Sequence, residues 1–253
     1  MKLGISYNVF DGEELLEGSI KQIRSEVDYI SVVYQTISNF GDKCHKNLIP
    51  LLEELRSKGL VNEIYEFFPP SFNGSGNEVS KRNIGLELSR NNGCTHHMSM
   101  DTDEYYDIDQ FKFMKKIIQE NGYDSSYCQM KSYYKTWEYQ LDPPEDYYVS
   151  LIFEINDGSK YGYEHPTPVL VDPTRKMTNI FKPIIFSRED IEMHHGSYIR
   201  NDIRKKLTNS SAKNVYIKEL DGIINHYTNW VFPNKVLWGG KPLNVKKVDN
   251  LFI

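Results

Sequence analysis

Residues 98–106 read Met-Ser-Met-Asp-Thr-Asp-Glu-Tyr-Tyr, a short strand-like run that ends in two carboxylates spaced two positions apart. Side chains alternate along a strand, so Asp101 and Asp103 are expected to point the same way where that strand ends. Oxygens that converge there suit a hard divalent cation that also holds phosphate groups. Because solvated acidic turns are also common, the meaning of this pair depends on what the rest of the chain places around it.

The chain before this pair alternates strand and helix signals. Strands are predicted over 3–7, 29–34, 63–68 and 94–100, with helices over 13–25, from 48 to a stop at Gly59, and over 77–90. Three strand-helix units predict an α/β fold with a mixed, mostly parallel central sheet flanked by helices. Ligands bind beyond the carboxyl ends of such strands, so Asn8, Gln35 and Asp101 are expected to share one cleft.

The second half of the chain is less regular. A helix is predicted over 109–121, strands over 127–134 and 147–153 around the Pro143-Pro144 turn, one or two strands within 169–185, and a helix over about 198–207. Neither an internal repeat nor a low-complexity linker interrupts the sequence. Residues 1–253 are therefore predicted to form a single domain.

Composition restricts the class of partner. The 253-residue chain has a net charge of −5, which argues against nucleic-acid binding. Residues 200–253, however, carry ten lysines and arginines against four aspartates and glutamates, which suits either peripheral contact with a membrane or a solvated helix face. Three scattered cysteines, no signal-peptide pattern and no apolar run of 18 residues predict a cytoplasmic protein.

Several cationic and imidazole side chains are candidates to join the acidic pair. The adjacent His194 and His195 are either metal ligands or structural residues, and Arg200 follows them. Lys81 and Arg82 precede the acidic strand and either face the same sheet edge or lie on an exposed helix surface. Such cations neutralise a diphosphate well.

Three stretches of the sequence resemble one family. They are Ile-Ser-Tyr-Asn-Val-Phe-Asp-Gly-Glu-Glu-Leu-Leu (5–16); Lys-Arg-Asn-Ile-Gly-Leu (81–86), continuing through Gly93 to Met-Asp-Thr-Asp-Glu (100–104); and Met-His-His-Gly-Ser-Tyr-Ile-Arg-Asn-Asp-Ile (193–203), followed by Lys206 and Asn-Ser-Ser (209–211). In this order and spacing they are similar to family-2-type glycosyltransferases with the GT-A fold, particularly the short bacterial and large-virus forms. The resemblance implies a nucleotide- and metal-binding half over 1–105 and an acceptor-binding half, with C-terminal helices, over 106–253.

The resemblance also implies roles for single residues. Asp103 would bind a divalent cation, Mn²⁺ or Mg²⁺, most directly, Asp101 would lie nearer the ribose or a metal-bound water, and His195 would be a later metal ligand. Tyr7 and Asn8 would contact the nucleotide. An acidic turn that family members often carry after the second strand is replaced here by residues 34–39. Gln35, whose amide both donates and accepts, is the substitute expected to read the base.

The activity implied is metal-dependent transfer of a sugar from a nucleoside diphosphate sugar, of UDP or GDP type, to a glycan or other hydroxyl acceptor. Asp103, His195 and Arg200 would stabilise the departing diphosphate. For an inverting transfer, the candidate bases for the acceptor hydroxyl are Glu154, Glu164, His165 and Asp172, although Asp172 also suits a turn cap. Trp137, Tyr133 and Tyr134 are candidates for an acceptor platform, although Trp137 also suits core packing. Asp103 is expected to face solvent.

Two other classes of function stay open at the level of sequence. The first is a metal-dependent hydrolase or nucleotidyltransferase that uses His96, His97, Asp101, Asp103 and His195, although strand alternation places His96 and His97 on opposite faces. The second is a non-catalytic carbohydrate-binding protein whose tyrosines bind glycan and whose acidic pair holds Ca²⁺. The chain has 18 tyrosines.

Overall fold

The computed structural model of the protein describes residues 1–71, 73–210 and 213–252, without the side chains of residues 215 and 216. The strands in these ranges are β1 (Leu3–Val9), β2 (Tyr29–Tyr34), β3 (Glu63–Glu66), β4 (His96–Asp101), β5 (Glu104–Tyr105), β6 (Ser125–Tyr134), β7 (Tyr139–Asp142), β8 (Tyr148–Glu154), β9 (Pro183–Ile185), β10 (Glu192–Tyr198), β11 (Val236–Trp238) and β12 (Lys241–Lys247). The helices are α1 (Glu13–Ile23), α2 (Leu48–Ser57), α3 (Gly74–Asn91), α4 (Ile108–Asn121), α5 (Ile203–Asn209), α6 (Lys213–Tyr216) and α7 (Leu220–Asn229). Among these described helices, none has the length and apolar character needed to span a bilayer.

The strands form one mixed sheet in the order β11-β12-β7-β6-β8-β4-β1-β2-β3, with β9 beside β6 and with β10 joining β5 to β6. The N-terminal strands β3, β2, β1 and β4 are parallel, as the strand-helix alternation predicts. Antiparallel pairs of β4 with β8 and of β8 with β6 extend the sheet into the second half. The predicted α/β class with helices flanking a mixed sheet is confirmed.

The register of the parallel strands brings the predicted cleft residues level with one another. Asn8 on β1 lies opposite Asp101 on β4 and opposite Val33 on β2. Gln35 follows β2 directly, and its backbone N–H donates to the carbonyl of Val9 at 3.1 Å. Three polar side chains from distant parts of the sequence therefore meet at one carboxyl edge.

Helix α3 packs directly on β1. A Cβ added to Gly85 would lie 2.1 Å from Ser6 Oγ, and one added to Gly4 would lie 2.4 Å from Ser89 Oγ, so only glycine permits this close approach. The helix runs opposite to the strand, because Gly4 meets Ser89 whereas Ser6, further along β1, meets Gly85. The preceding turn of α3, with Lys81 and Arg82, therefore reaches the carboxyl edge.

The second half departs from several predictions. The predicted helix over 198–207 begins only at Ile203, after Asp202, whose side chain accepts from the backbone N–H of Lys205 at 2.9 Å. The histidine pair before it lies on β10, which exists through pairing with β5 and β6. One strand, β9, forms within 169–185, in agreement with the prediction, whereas β7, β11 and β12 lie outside the predicted strands.

The predicted acceptor platform lies in the core instead. Trp137 and Tyr133 are buried and pack together with a ring-centroid distance of 5.2 Å, and Phe252 covers the indole from the C-terminal segment at 5.0 Å. Tyr134 is fully buried in a second cluster with Tyr198. Core packing, the alternative for Trp137, is what the structure shows for all three residues.

Candidate functional site

An open cavity lies at the carboxyl edge of the parallel strands. Its wall includes eight of the side chains that the sequence singled out: Asn8, Gln35, Lys81, Asp101, Asp103, Asp172, His195 and Arg200. Because these residues come from the strand ends, from α3 and from the second half of the chain, the fold converts scattered motifs into one polar site.

Asp101 faces this cavity but is held by two buried arginines. Arg175 Nη2 lies 2.7 Å from Asp101 Oδ2, and Arg82 Nη2 lies 3.3 Å from Asp101 Oδ1. Burial alone would raise the pKa of Asp101, but the two guanidinium groups outweigh it and hold that pKa at about 2. Arg82 also donates to Ser99 Oγ at 2.7 Å, which fixes it against β4.

Arg175 extends this network to a second acid, Glu104. It donates to Glu104 Oε2 at 3.1 Å from Nη1 and to Glu104 Oε1 from Nη2, and both side chains are buried. Arg175 and Glu104 were not predicted as site residues. No local pattern identifies them, because the loop that carries Arg175 meets β5 only in the folded chain.

Asp103 lies in a different electrostatic environment. Its Oδ2 atom is 2.5 Å from Arg200 Nη2, 3.2 Å from Lys206 Nζ and 3.8 Å from His195 Nε2. Burial would raise the pKa of Asp103, but Lys206 and Arg200 hold it well below its usual range. The side chain is buried, so the expectation that Asp103 faces bulk solvent is wrong. It lies at the floor of the cavity, covered by cations.

The two adjacent histidines separate because they lie on a strand. His195 lines the cavity, whereas His194 is buried in the core, where its Nδ1 atom is 2.8 Å from the hydroxyl of Tyr133. Burial lowers the pKa of His194 to about 3 and also lowers that of His195, although Asp103 opposes the shift at His195. Only His195 can therefore take part in chemistry at this site.

Lys81 and Arg82 are both buried, so the exposed-helix reading of this pair is wrong. Burial lowers the pKa of Lys81. Among the described residues, its ammonium group has neither a hydrogen bond nor an ion pair, whereas Arg82 is committed to Asp101 and Ser99. Lys81 is the cation of the pair that is available to a ligand.

Unpaired polar atoms mark where such a ligand would bind. Both amide atoms of Asn8, Oε1 of Gln35, Nε of Arg200 and Oδ1 of Asn209 are buried without a hydrogen-bond partner in the described structure. Each of these residues lines the cavity. A buried polar atom left without a partner costs about 1–3 kcal/mol, and a polar ligand that satisfied these atoms would recover that free energy.

The side chains of several other predicted site residues do not line the cavity. Tyr7 is fully buried, and its hydroxyl lies 3.0 Å from Ser19 Oγ on the core side of β1. Glu164 and His165 do not line the cavity. Glu154 lies opposite His96 at the far end of β4.

Asp172 is the one predicted base that does line the cavity. Its Oδ1 atom accepts from the backbone N–H and the hydroxyl of Thr174, both at 2.7 Å, as the turn-cap reading predicts. The two readings of this residue are therefore compatible. Ser211, from the third sequence motif, lies outside the described residues.

The five-residue cluster of the hydrolase alternative does not form. His96 and His97 begin β4, whereas Asp101 ends it, about 16 Å away at the rise of a strand. His97 is fully buried, and its Nδ1 atom pairs with Ser89 Oγ at 2.9 Å.

The donor atoms at Asp103 and His195 fit a divalent cation. A carboxylate and an imidazole suit Mn²⁺, and the two side chains face each other across the cavity floor. Asp101 fits less well, because both of its oxygens hold arginines. In the ranges that the structure describes, no group of three histidine, cysteine or acidic side chains is arranged to hold a metal.

Comparison with known proteins identifies the fold class. S. aureus TarS 1-349 in complex with UDP matches with a TM-score of 0.50 and 12% identity over 90% of this chain and 72% of that chain. GalNAc-T7 with UDP, GalNAc and Mn²⁺ matches with a TM-score of 0.49 and 11% identity over 88% of this chain and 49% of that chain. No family model and no curated protein sequence matches. The chain has the GT-A fold.

Proposed function

We propose that this chain is a metal-dependent glycosyltransferase of the family-2 type. It would move a hexosyl or pentosyl group from a nucleoside diphosphate sugar to a hydroxyl of a glycan or another acceptor. The observation that carries the proposal is the cavity at the carboxyl edge, where Asp103 and His195 lie beside Lys81, Arg200 and Lys206. A metal-diphosphate group needs this combination of anionic, imidazole and cationic side chains.

Three cations are placed to hold the diphosphate. Lys81 has no partner among the described residues, and Arg200 and Lys206 reach the cavity from the other side, where they contact Asp103. Charge-assisted hydrogen bonds from such groups to phosphate oxygens are about twice as strong as neutral ones. Their positive charge stabilises the diphosphate as it departs.

Asp103 and His195 are the residues that would hold the divalent cation, Mn²⁺ or Mg²⁺. When bound, this ion supplies a positive charge that polarises the phosphate oxygens. The arginines on Asp101 fix the end of β4 and so position the following residues, Thr102 and Asp103. Asp101 then remains near the ribose as a fixed anion.

The nucleoside would bind beyond β1 and β2. Asn8 offers an unpaired amide N–H₂ and an unpaired carbonyl, and Gln35 offers an unpaired carbonyl. The amide nitrogen of Gln35 is already committed, since it donates to the carbonyl of Ile37 at 2.8 Å. Adjacent donors and acceptors of this kind suit the edge of a base such as uracil or guanine.

Asp172 is the candidate for the base that removes the proton from the acceptor hydroxyl. Thr174 fixes one of its oxygens, and the carboxylate lines the cavity. A base held in one orientation serves a transfer that inverts the anomeric centre.

A cytoplasmic location with peripheral contact to an anionic membrane remains part of the proposal. Such a contact would use the exposed lysines of β12, of which Lys246 and Lys247 pair with Asp142 and Glu138. Sedimentation with vesicles that contain anionic lipid tests it. Equal binding to neutral vesicles would contradict it.

A calorimetric screen of nucleotide sugars, each with and without Mn²⁺, tests the function. We expect one donor class to bind only in the presence of Mn²⁺, and its sugar to appear on an added hydroxyl acceptor. Absence of binding by every nucleotide sugar, with or without the metal, would overturn the proposal. Binding of free glycan with Ca²⁺ alone would instead favour a carbohydrate-binding protein.

A further inference from the structure

A chain of hydrogen bonds lies behind His195, on the side away from the cavity. Ser132 on β6 is in register with His195 on β10, and its Oγ atom lies 3.3 Å from His195 Nδ1. The same hydroxyl donates to Oε2 of Glu145, which follows β7. Ser132 is fully buried.

The chemistry of these three groups fixes where the protons lie. A carboxylate only accepts hydrogen bonds, and a serine hydroxyl has one proton to donate. Because the Ser132 proton points to Glu145, the Ser132 oxygen can only accept from His195, so Nδ1 carries the imidazole proton. Nε2 then keeps its lone pair, and it is the atom that faces Asp103 at 3.8 Å.

The loop that carries Glu145 is held independently of its carboxylate. Arg188 donates to the backbone carbonyl of Glu145 at 2.6 Å and to the carbonyl of Met130 on β6 at 3.1 Å. The arginine pairs with Glu192 rather than with Glu145. The carboxylate of Glu145 is therefore left to act on Ser132.

We propose that Glu145 is a positioning residue, which acts through Ser132 to fix His195 as the Nδ1–H tautomer and to present the Nε2 lone pair to the divalent cation. The metal role rests on the proposed function, whereas the tautomer does not. Histidines that bind metals usually donate their other ring N–H to a group that sets the tautomer and orients the ring. Here a buried serine would transmit this effect from a carboxylate one step further away.

Nuclear magnetic resonance of the imidazole nitrogens tests the tautomer directly in the metal-free, ¹⁵N-labelled protein at neutral pH. The His195→Gln variant assigns the signals by their loss. We expect protonated Nδ1 and unprotonated Nε2 in the wild type. In Ser132→Ala, Nδ1–H loses its acceptor, so we expect protonation to move to Nε2, which faces the negative charge of Asp103 at 3.8 Å. Protonated Nε2 in the wild type, or no change in Ser132→Ala, would overturn the proposal.

A second measurement follows the affinity for Mn²⁺ in the presence of UDP by the shift in thermal unfolding. We expect Ser132→Ala and Glu145→Ala each to weaken Mn²⁺ binding about 10-fold to 100-fold. Asp146→Asn is the matched control, because Asp146 is exposed in the same loop and its side chain has no hydrogen bond or ion pair with the described residues. Unchanged affinity in both test variants would overturn the positioning role.

The two experiments separate this inference from the proposed function. If the wild type bound no nucleotide sugar, with or without Mn²⁺, the transferase assignment would fall and the metal role of His195 with it. The nitrogen signals of the wild type, Ser132→Ala and Glu145→Ala would still show whether Glu145, through Ser132, sets the tautomer.

Discussion

Asp101 and Asp103 are two residues apart, yet their carboxylates lie in different surroundings. Asp101 is held by Arg82 and Arg175, which are buried side chains tied to β4 and β5. Asp103 contacts Arg200 and Lys206, which come from the segment after β10. Arg82 and Arg175 belong to a buried framework, and of the two carboxylates Asp101 is the more exposed, at 37% against 4% for Asp103.

One short acidic motif therefore has two different sets of partners. The arginines on Asp101 and the arginine on Asp103 alike also satisfy other groups, so each would keep those partners if its carboxylate engaged a ligand. The two environments can be compared by mutation.

The largest effect is expected for Arg175→Met, on the fold. The substitution leaves Glu104 buried without the guanidinium group that pairs with it. Removing one partner of a buried ion pair typically costs about 3–5 kcal/mol, and urea unfolding would measure it. Arg204→Met, at an exposed ion pair with Asp221, is the control and should change stability little. A similar loss in both variants would remove Arg175 from the framework.

The next effect is expected for Asp103→Asn, on turnover. The amide keeps the size of the side chain but loses the charge that would hold the metal. We expect kcat to fall by about 100-fold to 1000-fold, the loss typical of a removed electrostatic contact. Circular dichroism and urea unfolding should show a smaller loss of stability than in Arg175→Met, because Arg200 keeps its carbonyl partners. Full activity in Asp103→Asn would sink the assignment.

A smaller effect is expected for Lys81→Met, on nucleotide affinity. Loss of one charge-assisted hydrogen bond to phosphate corresponds to about 1.5–3 kcal/mol, which is roughly a 10-fold to 100-fold rise in the Kd for UDP. Stability should fall little, because Lys81 has neither an ion pair nor a hydrogen bond among the described residues. Lys116→Met, on the exposed face of α4, is the matched control. Equal UDP affinity in the two variants would exclude Lys81 from the diphosphate site.

The smallest effect concerns pH. The folded-state pKa values of Asp101 and Asp103 lie below the value of about 3.9 expected in the unfolded chain. Their contribution to stability is therefore present above about pH 4 and is lost as the pH falls through the folded values, about 2 for Asp101. Urea unfolding between pH 5 and 2 should show this loss as a falling free energy of unfolding, and the fall should be smaller in Asp101→Asn. An equal dependence of the unfolding free energy on pH in the wild type and in Asp101→Asn would contradict the arginine-paired state of Asp101.

The sequence predicted the N-terminal half well because that half consists of local signals. The strand that ends at Tyr34 and the helix that ends at Asn121 begin or end where apolar periodicity and turn residues indicate. The second half failed where strands depend on distant partners. For example, β12 is mostly exposed and polar, and it is a strand because it pairs with β7 and β11.

The candidate site shows the same division. Asp103, His195 and Arg200 could be singled out from motif and spacing. In the structure, His195 and Arg200 each lie within 4 Å of the Asp103 carboxylate. Arg175 could not be predicted, because it contacts Glu104, which lies more than seventy residues earlier in the sequence. Tyr7 belongs to a matching motif, but alternation along β1 turns its side chain into the core.

By itself, the sequence determined the alternation of strand and helix, the position of the acidic pair at a strand end, and the residue types available for metal and phosphate. Local periodicity and turn chemistry suffice for these features. Only the tertiary structure decided which cations pair with each carboxylate, and which histidine faces the cavity. Those properties depend on burial and on charges that arrive from distant segments, and neither exists until the chain is folded.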